Sequence, residues 1–417
     1  MTEVKNGIQV TLQHLESADA VIRKSLIWIK QQCATTKGIS NEKLDGHQMA
    51  SFDLAWCAAE STAARFAVDY AGKVVAAGAA GAGACLEERM ALVFCAEALQ
   101  NIHHRLWARP QSFGLKEADV AALASSSLSY YCQTQLDAGN LETLGRQVIA
   151  LNGASGAYML GDDATMMQDS FRKLATNVVM PLAEEIHRHD RIIPQEILEP
   201  LTEMGCFGLS IPERYGGIQS DDHEDNMGMI VVTEELSRGS LGGAGSLITR
   251  PEILSRSLLK GGTEAQREKW LPKVAVGEPL CAIAVTEPDT GSDVAAMRLK
   301  ATKCDGGWIL DGAKTWCTMA GKAGLLLVLA RSNPDRSLGH KGLSMFLVEK
   351  DVYDGHDFEY RQPQGGLLTG RAIATIGYRG MHSYELFFDH VFVPDENLVG
   401  GPGGEGKGFY FIMAGFA

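Results

Sequence analysis

Two short segments concentrate the side chains that could do chemistry. Val285-Thr286-Glu287-Pro288-Asp289-Thr290-Gly291-Ser292-Asp293 follows an apolar run, Cys281 to Val285, and breaks into a turn at Pro288 and Gly291. It reads as a strand running into a polar loop. Lys314-Thr315-Trp316-Cys317-Thr318 closes a second strand that opens at Gly307-Trp308-Ile309-Leu310 and passes an Asp311-Gly312 turn signal. Two strand ends thus present the hydroxyls of Thr286, Ser292 and Thr318 beside the indole of Trp316. Hydroxyls next to a broad aromatic surface suit a flat heterocycle with a polar edge. A hairpin with ordinary surface threonines and a core tryptophan explains any one of these residues. It does not readily explain the two spaced segments together.

Such ends need a platform. From Glu278 to about Val393 the chain reads as short strands separated by Gly, Asp and Pro, without helical periodicity. A small β-barrel or sandwich is predicted there. Leu325–Ala330 and Leu343–Val348 are apolar runs of strand length. Residues before this region read as helical. Asp53–Tyr70 and Glu87–Arg109 repeat apolar residues at three-to-four spacing. The Gly/Ala-rich stretch Ala71–Ala84 reads either as close helix packing or as a flexible joint. Asp162–Glu185 is predicted as one long helix with a kink or break at Pro181. Ile193–Gly208 is predicted as a helix ending in glycine, and Asp225–Ser237 as a central helix. Thr263-Glu264-Ala265-Gln266 heads a further helix with an N-cap threonine. After a glycine-rich turn, the apolar run Phe409–Ala417 opens another helix.

Composition bounds the function. The chain has 417 residues and a net charge of −13. That balance argues against nucleic acid and against a polybasic membrane contact. Hydrophobic residues make up 45% and charged residues 21%, the values of a globular protein. No run reaches the length of a membrane span, and Met1-Thr2-Glu3-Val4 lacks the character of a signal or transit peptide. Nine scattered cysteines without a Cys-x-x-Cys pair read as reduced, buried thiols of a cytoplasmic protein. Adjacent His103 and His104 do not share a helix face, so no metal is expected there.

The two strand-end segments resemble the flavin-binding strands of the acyl-CoA dehydrogenases. A second block strengthens the likeness. Thr375-Ile376-Gly377-Tyr378-Arg379-Gly380-Met381 leads to Leu386-Phe387-Phe388-Asp389-His390-Val391-Phe392-Val393-Pro394 and then Asn397-Leu398-Val399-Gly400. This is similar to the family's Gly-x-Arg-Gly segment and its following strand ending in Val-Pro. The resemblance runs from roughly residue 160 to 417. It implies an α+β fold with helical N-terminal domains, a central antiparallel β-barrel domain and the start of a C-terminal helical bundle. The expected boundaries are a helical extension over 1–157, the family's N-terminal helical domain over 158–277, the central β domain over 278–395 and the opening of the bundle over 396–417.

The resemblance also implies FAD, held by Ile283, Ala284, Val285, Thr286, Gly291, Ser292, Trp316, Cys317 and Thr318. Thr286 falls where the family hydrogen-bonds the flavin pyrimidine. Trp316 falls where it packs against the ring system, and Thr318 where a hydroxyl faces N5. Fixed donors near the ring edge that gathers negative charge stabilise that charge without reorganising. Cys317 reads as small apolar filler. Ser292 matches the position that meets the CoA chain, and it could equally cap a turn beside Asp293. The implied substrate is an acyl-CoA and the implied electron acceptor an electron-transfer flavoprotein, with a homodimer or homotetramer as the assembly.

One branch of the family, acting on a branched dicarboxylyl-CoA, fits better than the others. Its features are Trp-Cys-Thr at 316–318, Tyr378-Arg379-Gly380-Met381-His382-Ser383-Tyr384-Glu385 and a long helical extension. A second carboxylate in an apolar pocket demands a cation, and the Arg fork suits it best. Arg250, in Leu247-Ile248-Thr249-Arg250-Pro251-Glu252, is the substrate-binding candidate; an ion pair with Glu252 or a surface position is the alternative.

The implied reaction takes a proton α to a thioester, which calls for a carboxylate base of raised pKa. Glu287 is structural in the family, Glu385 lies on a strand where it either approaches the substrate or the ring or, the favoured reading, faces solvent, and Glu405 sits in an exposed glycine loop. No base is assigned within 1–417; it is expected beyond Ala417, on a bundle that the resemblance leads one to expect after this chain. An acyl-CoA oxidase, or another short- or branched-chain acyl-CoA dehydrogenase, is the neighbouring enzyme reading. A catalytically silent flavin- or CoA-binding or assembly module is the reading from another class.

Overall fold

The computed structural model describes residues 2–36, 38–78, 86–152, 159–224 and 226–416. The chain divides into two compact units, Met1–Met159 and Leu160–Ala417.

The first unit is helical. Thr2–Cys33, Gln48–Ala76 and Leu86–Ala108 are its long helices, followed by Ser126–Gln135 and Ala138–Ala150. Leu15, Leu54, Leu99, Ile102 and Leu106 form its centre, each at most 1% exposed. The Gly/Ala-rich stretch begins as helix, with Ala71 and Val74 buried, while residues 79–85 lie outside the described residues. Asp53 is buried and takes both Arg105 and Arg109 as partners. No helix among the described residues is long and apolar enough to cross a membrane.

The second unit opens with helices. The expected break near Pro181 is a π-turn. Helix Asp162–Leu174 passes into Ala175–Val179 before resuming as Met180–Arg188. Proline has no N–H for the i−4 carbonyl, and the wider turn accommodates its ring. The helix expected over 193–208 is shorter, Gln195–Glu203. Gly205, at φ 69°, ends it in the left-handed conformation, so the stop lies three residues before Gly208. The central helix spans Asn226–Ser240 and runs into a π-turn, Leu241–Gly245. Helix Thr249–Gly261 follows. Thr263 and Gln266 then form a reciprocal capping box at the head of Glu264–Ala275.

Eight strands make one sheet: β1 Cys281–Ala284, β2 Lys300–Cys304, β3 Gly307–Thr318, β4 Leu325–Arg331, β5 Leu343–Glu349, β6 Asp357–Arg361, β7 Leu367–Ala372 and β8 Ser383–Pro394. Their order is β1-β4-β2-β3-β8-β7-β6, with β5 on the free side of β4. Two features differ from the expected antiparallel barrel. β1 pairs parallel to β4, from Cys281↔Leu325 to Ala284↔Val328, and β2 meets β4 in a parallel bridge at Lys300↔Arg331. β1 and β2 thus follow one another along the same edge of β4. The sheet is also open, since its outer strands β5 and β6 do not pair with each other.

Both faces of β4 are covered. Leu326, Val328 and Ala330 enter a core with Trp308, Phe346 and Leu386, while Leu325, Leu327 and Leu329 enter another with Leu254, Trp270 and Ile412. A strand buried on both sides reads as a continuous apolar run, which is how Leu325–Ala330 reads. The helix expected from Phe409 is Gly408–Gly415, with Ile412 fully buried.

Candidate active site at two strand ends

The chain just past β1 is tied to the end of β3. Thr315 donates its backbone N–H to the Thr286 carbonyl at 2.9 Å. Lys314 anchors the same junction from inside. Its Nζ is fully buried and donates to the Val285 carbonyl at 2.8 Å and to Glu287 Oε1 at 2.9 Å. Glu287 in turn accepts the backbone N–H groups of Arg298 at 2.6 Å and Leu299 at 2.8 Å. Burial pushes the Lys314 ammonium below the usual lysine range, against the pull of Glu287. Glu287 is thereby committed to the scaffold, as a base could not be.

A β-bulge sets the presentation of the indole. Cys317 lies opposite Tyr384 and Lys314 opposite Leu386, so β3 spends one residue more than β8 between these pairs. Trp316 falls in the bulge with φ 59°, a left-handed conformation that side chains rarely adopt. The usual alternation is broken: Thr315, Cys317 and Thr318 are buried, while Trp316 is 55% exposed. Bulges re-aim side chains in this way and recur at functional sites. Thr318 Oγ1 is 3.0 Å from Ser383 Oγ, and both residues are buried.

The other strand-end residues divide by exposure. Ala284 and Val285 are buried, Ile283 and Thr286 half-buried. The Thr286 hydroxyl has no hydrogen-bond partner among the described residues. Glu287 and Thr290 close the turn through paired backbone bonds of 2.9 and 3.1 Å. Gly291 and Ser292 lie exposed beyond it, and Asp293 caps the following turn without a side-chain bond. Burial raises the Cys317 thiol to about 12, which removes it from thiolate chemistry at neutral pH.

Arg250 sits at the head of helix Thr249–Gly261. Its Nη1 donates to the Ser246 carbonyl at 2.8 Å and to Ser246 Oγ at 2.9 Å. Tyr378 donates its hydroxyl to the same Ser246 Oγ at 2.7 Å. No carboxylate among the described residues pairs with Arg250. Glu252 pairs with Arg256 instead, at 3.2 Å, and burial raises its carboxyl against that pull. Arg250 is close enough to Cys281 to offset part of the burial that lifts this thiol to about 12. Tyr378 belongs to a glycine-bearing loop docked on the Leu241–Gly245 turn. A Cβ at Gly380, φ 110°, would lie 2.7 Å from the Gly242 carbonyl oxygen. Glu385 and Glu405 are exposed. Ser246 carried no chemical pattern of its own in the sequence, and Tyr378 and Ser383 entered only as members of a family-like segment; the contacts of Tyr378 with Ser246 and of Ser383 with Thr318 join residues far apart in the chain.

This donor set fits a flavin. An indole is held outward by a bulge, and among the described residues the Thr286 hydroxyl is unpartnered and Thr290 Oγ1 is buried without a partner in the adjoining turn. A Cβ at Gly291 would meet nothing within 4 Å, which leaves room for close backbone approach.

Comparisons with known proteins identify the family. Residues 161–278 match the N-terminal domain of acyl-CoA dehydrogenases, and residues 282–391 match the middle domain. The chain belongs to the acyl-CoA dehydrogenase family, a family of flavin-dependent oxidoreductases. It is 35% identical over 414 residues to (2S)-methylsuccinyl-CoA dehydrogenase of Cereibacter sphaeroides, covering 96% of this chain and 71% of that one. Butyryl-CoA dehydrogenase from Megasphaera elsdenii matches with a TM-score of 0.53 and 29% identity, over 62% of this chain and 63% of that one. A chain in the structure of the electron transferring flavoprotein of Acidaminococcus fermentans matches with a TM-score of 0.53 and 28% identity, over 62% of each. The chain thus spans between 62% and 71% of the length of these three proteins.

Proposed function

We propose that this chain carries the flavin- and substrate-facing residues of an FAD-dependent dehydrogenase of a short, branched dicarboxylyl-CoA. The reaction is (2S)-methylsuccinyl-CoA to mesaconyl-CoA, with electrons passing to an electron-transfer flavoprotein. The similarity to the Cereibacter sphaeroides enzyme supports this reading, because it extends over 96% of the chain and so takes in the N-terminal unit. The match to a chain in an electron transferring flavoprotein structure supports the acceptor. The observation that carries the substrate class is Arg250, a half-buried guanidinium without a carboxylate partner among the described residues. A distal substrate carboxylate entering an apolar pocket needs such a partner.

Bound FAD supplies the hydride acceptor. The chain's own residues bind, orient and shield. Ile283, Ala284 and Val285 supply strand backbone, Gly291 gives close approach, and Cys317 fills the space behind. Thr286 offers its free hydroxyl to the ring edge. Trp316 covers the ring system and keeps water and oxygen off it. Thr318, oriented by Ser383, holds a hydroxyl at a fixed position, and Ser292 offers one to the CoA chain. Lys314 and Glu287 keep the two strand ends in place, so these donors need no reorganisation when charge develops.

The test is anaerobic flavin reduction by methylsuccinyl-CoA and by a monocarboxylyl-CoA of similar shape, at matched FAD content. Preference for the dicarboxylyl thioester is expected. A preference for the monocarboxylyl thioester would sink the substrate assignment while leaving the flavin site standing.

A further inference from the structure

Three side chains from distant parts of the second unit converge outside the strand-end site. Asp190 follows helix Met180–Arg188, His356 precedes β6, and His382 immediately precedes β8. His356 Nε2 lies 3.2 Å from His382 Nε2, and His382 Nε2 lies 3.0 Å from Asp190 Oδ1. Asp190 Oδ2 is 3.5 Å from His356 Nε2.

The hydrogen bonding of His382 fixes its tautomer. Its Nδ1 is 3.1 Å from the Gly380 carbonyl, which can only accept, so Nδ1 carries a hydrogen. A neutral ring then turns the Nε2 lone pair toward the cluster, the orientation that a backbone carbonyl imposes on metal-binding histidines. That lone pair faces a carboxylate oxygen at 3.0 Å. A proton on Nε2 would make this contact a charge-assisted hydrogen bond, and a metal cation bound between the two atoms would satisfy both in its place. The three separations also suit one ion. Tetrahedral coordination at about 2.0–2.1 Å puts neighbouring ligand atoms about 3.3 Å apart.

We propose that Asp190, His356 and His382 form a three-ligand site for a divalent transition cation of the zinc class, with its fourth position open to solvent. Two imidazoles and one carboxylate select such an ion over calcium or magnesium. Arg379 Nε, 3.2 Å from Asp190 Oδ1, is the opposing charge and weakens the site without occupying it. The ion would clamp two loops to the head of β8, one residue before the Ser383 that orients Thr318. A second cluster, Asp311, Asp389 and His390, offers a single imidazole on exposed chain and serves as a control.

The experiment is calorimetric titration of zinc chloride into the chelator-treated holoprotein. One equivalent is expected to bind with micromolar or tighter affinity and to raise the melting temperature. His356→Ala, at a half-exposed loop position, is expected to weaken binding by roughly 100-fold or more and abolish the melting shift. His390→Ala is expected to leave both unchanged. Binding only at millimolar zinc, or equal affinity in wild type and His356→Ala, would overturn the site. Should His356→Ala melt abnormally without metal, Asp190→Asn replaces it with the same expected loss.

Discussion

Thr318 Oγ1 and Ser383 Oγ meet at 3.0 Å across the register pair that joins the end of β3 to the start of β8. Each hydroxyl gives the other a buried partner. The contact makes the geometry of Thr318 a property of two strands rather than of one side chain.

Ser383→Ala leaves Thr318 without that partner in a buried setting. The expected cost is about 1–3 kcal/mol, the penalty for a buried unsatisfied hydroxyl. Adding Thr318→Val is expected to recover part of it. A double-mutant cycle in urea measures the coupling. Additive losses would mean that the two hydroxyls do not interact.

Trp316 occupies a backbone conformation that costs an L-residue about 1–2 kcal/mol. Trp316→Gly is therefore expected to be more stable than Trp316→Ala by about 1 kcal/mol. Both are expected to lose flavin or expose it to oxygen. Denaturation and flavin-to-protein absorbance ratios check the two halves. An alanine variant as stable as the glycine variant would mean that the bulge relaxes.

Lys350 sets a pH dependence. Burial lowers its folded-state pKa to about 7 from 10.5, while its Nζ donates to the carbonyls of Gly321 and Asp351. The folded state carries the penalty of the charged form below about pH 7. Between there and about 10.4 the unfolded chain holds the extra proton, so raising the pH favours folding. The stability of wild type relative to Lys350→Met is expected to rise with pH across this window, by up to about 1.4 kcal/mol per unit. Taking the difference cancels the buried thiols, whose raised pKa values act in the opposite direction. A difference independent of pH from 7 to 10 would contradict the burial of a neutral amine.

Arg250→Ala removes the guanidinium that pairs with no carboxylate among the described residues. For a dicarboxylyl-CoA the expected loss is on the order of 2–5 kcal/mol in transition-state binding, or roughly thirty- to several-thousand-fold in kcat/KM. A monocarboxylyl-CoA is expected to lose far less. Equal losses on both would assign Arg250 to the fold, and no loss on either would remove it from the pocket.

What the sequence made legible were features set by neighbours in the chain. β4 and β5 stood out because strands buried on both faces are mostly apolar, Ser344 being the one polar residue in Leu343–Val348. Thr263 announced its helix because an N-cap is local, and Pro181 its break because a missing N–H is local. Long-range pairing was not legible. Nothing in Cys281–Ala284 says that it runs parallel to β4, and that register makes the sheet mixed. The strand-end residues were readable as types, but the bulge that turns Trp316 outward depends on how many residues β8 spends opposite it. Arg250 was readable as an unusual cation. Its partner Ser246 and the support of Tyr378 lie 132 residues apart in sequence.

The central claim is that the junction of Thr286 with Thr315–Thr318 faces a flavin that an acyl-CoA reduces. The most direct measurement is the visible spectrum of the purified protein under anaerobic conditions, before and after adding methylsuccinyl-CoA. A yellow protein with about one flavin per chain, bleached by the thioester, is the predicted result. A protein that binds no flavin when FAD is supplied, or whose flavin stays oxidised with every acyl-CoA offered, would contradict it.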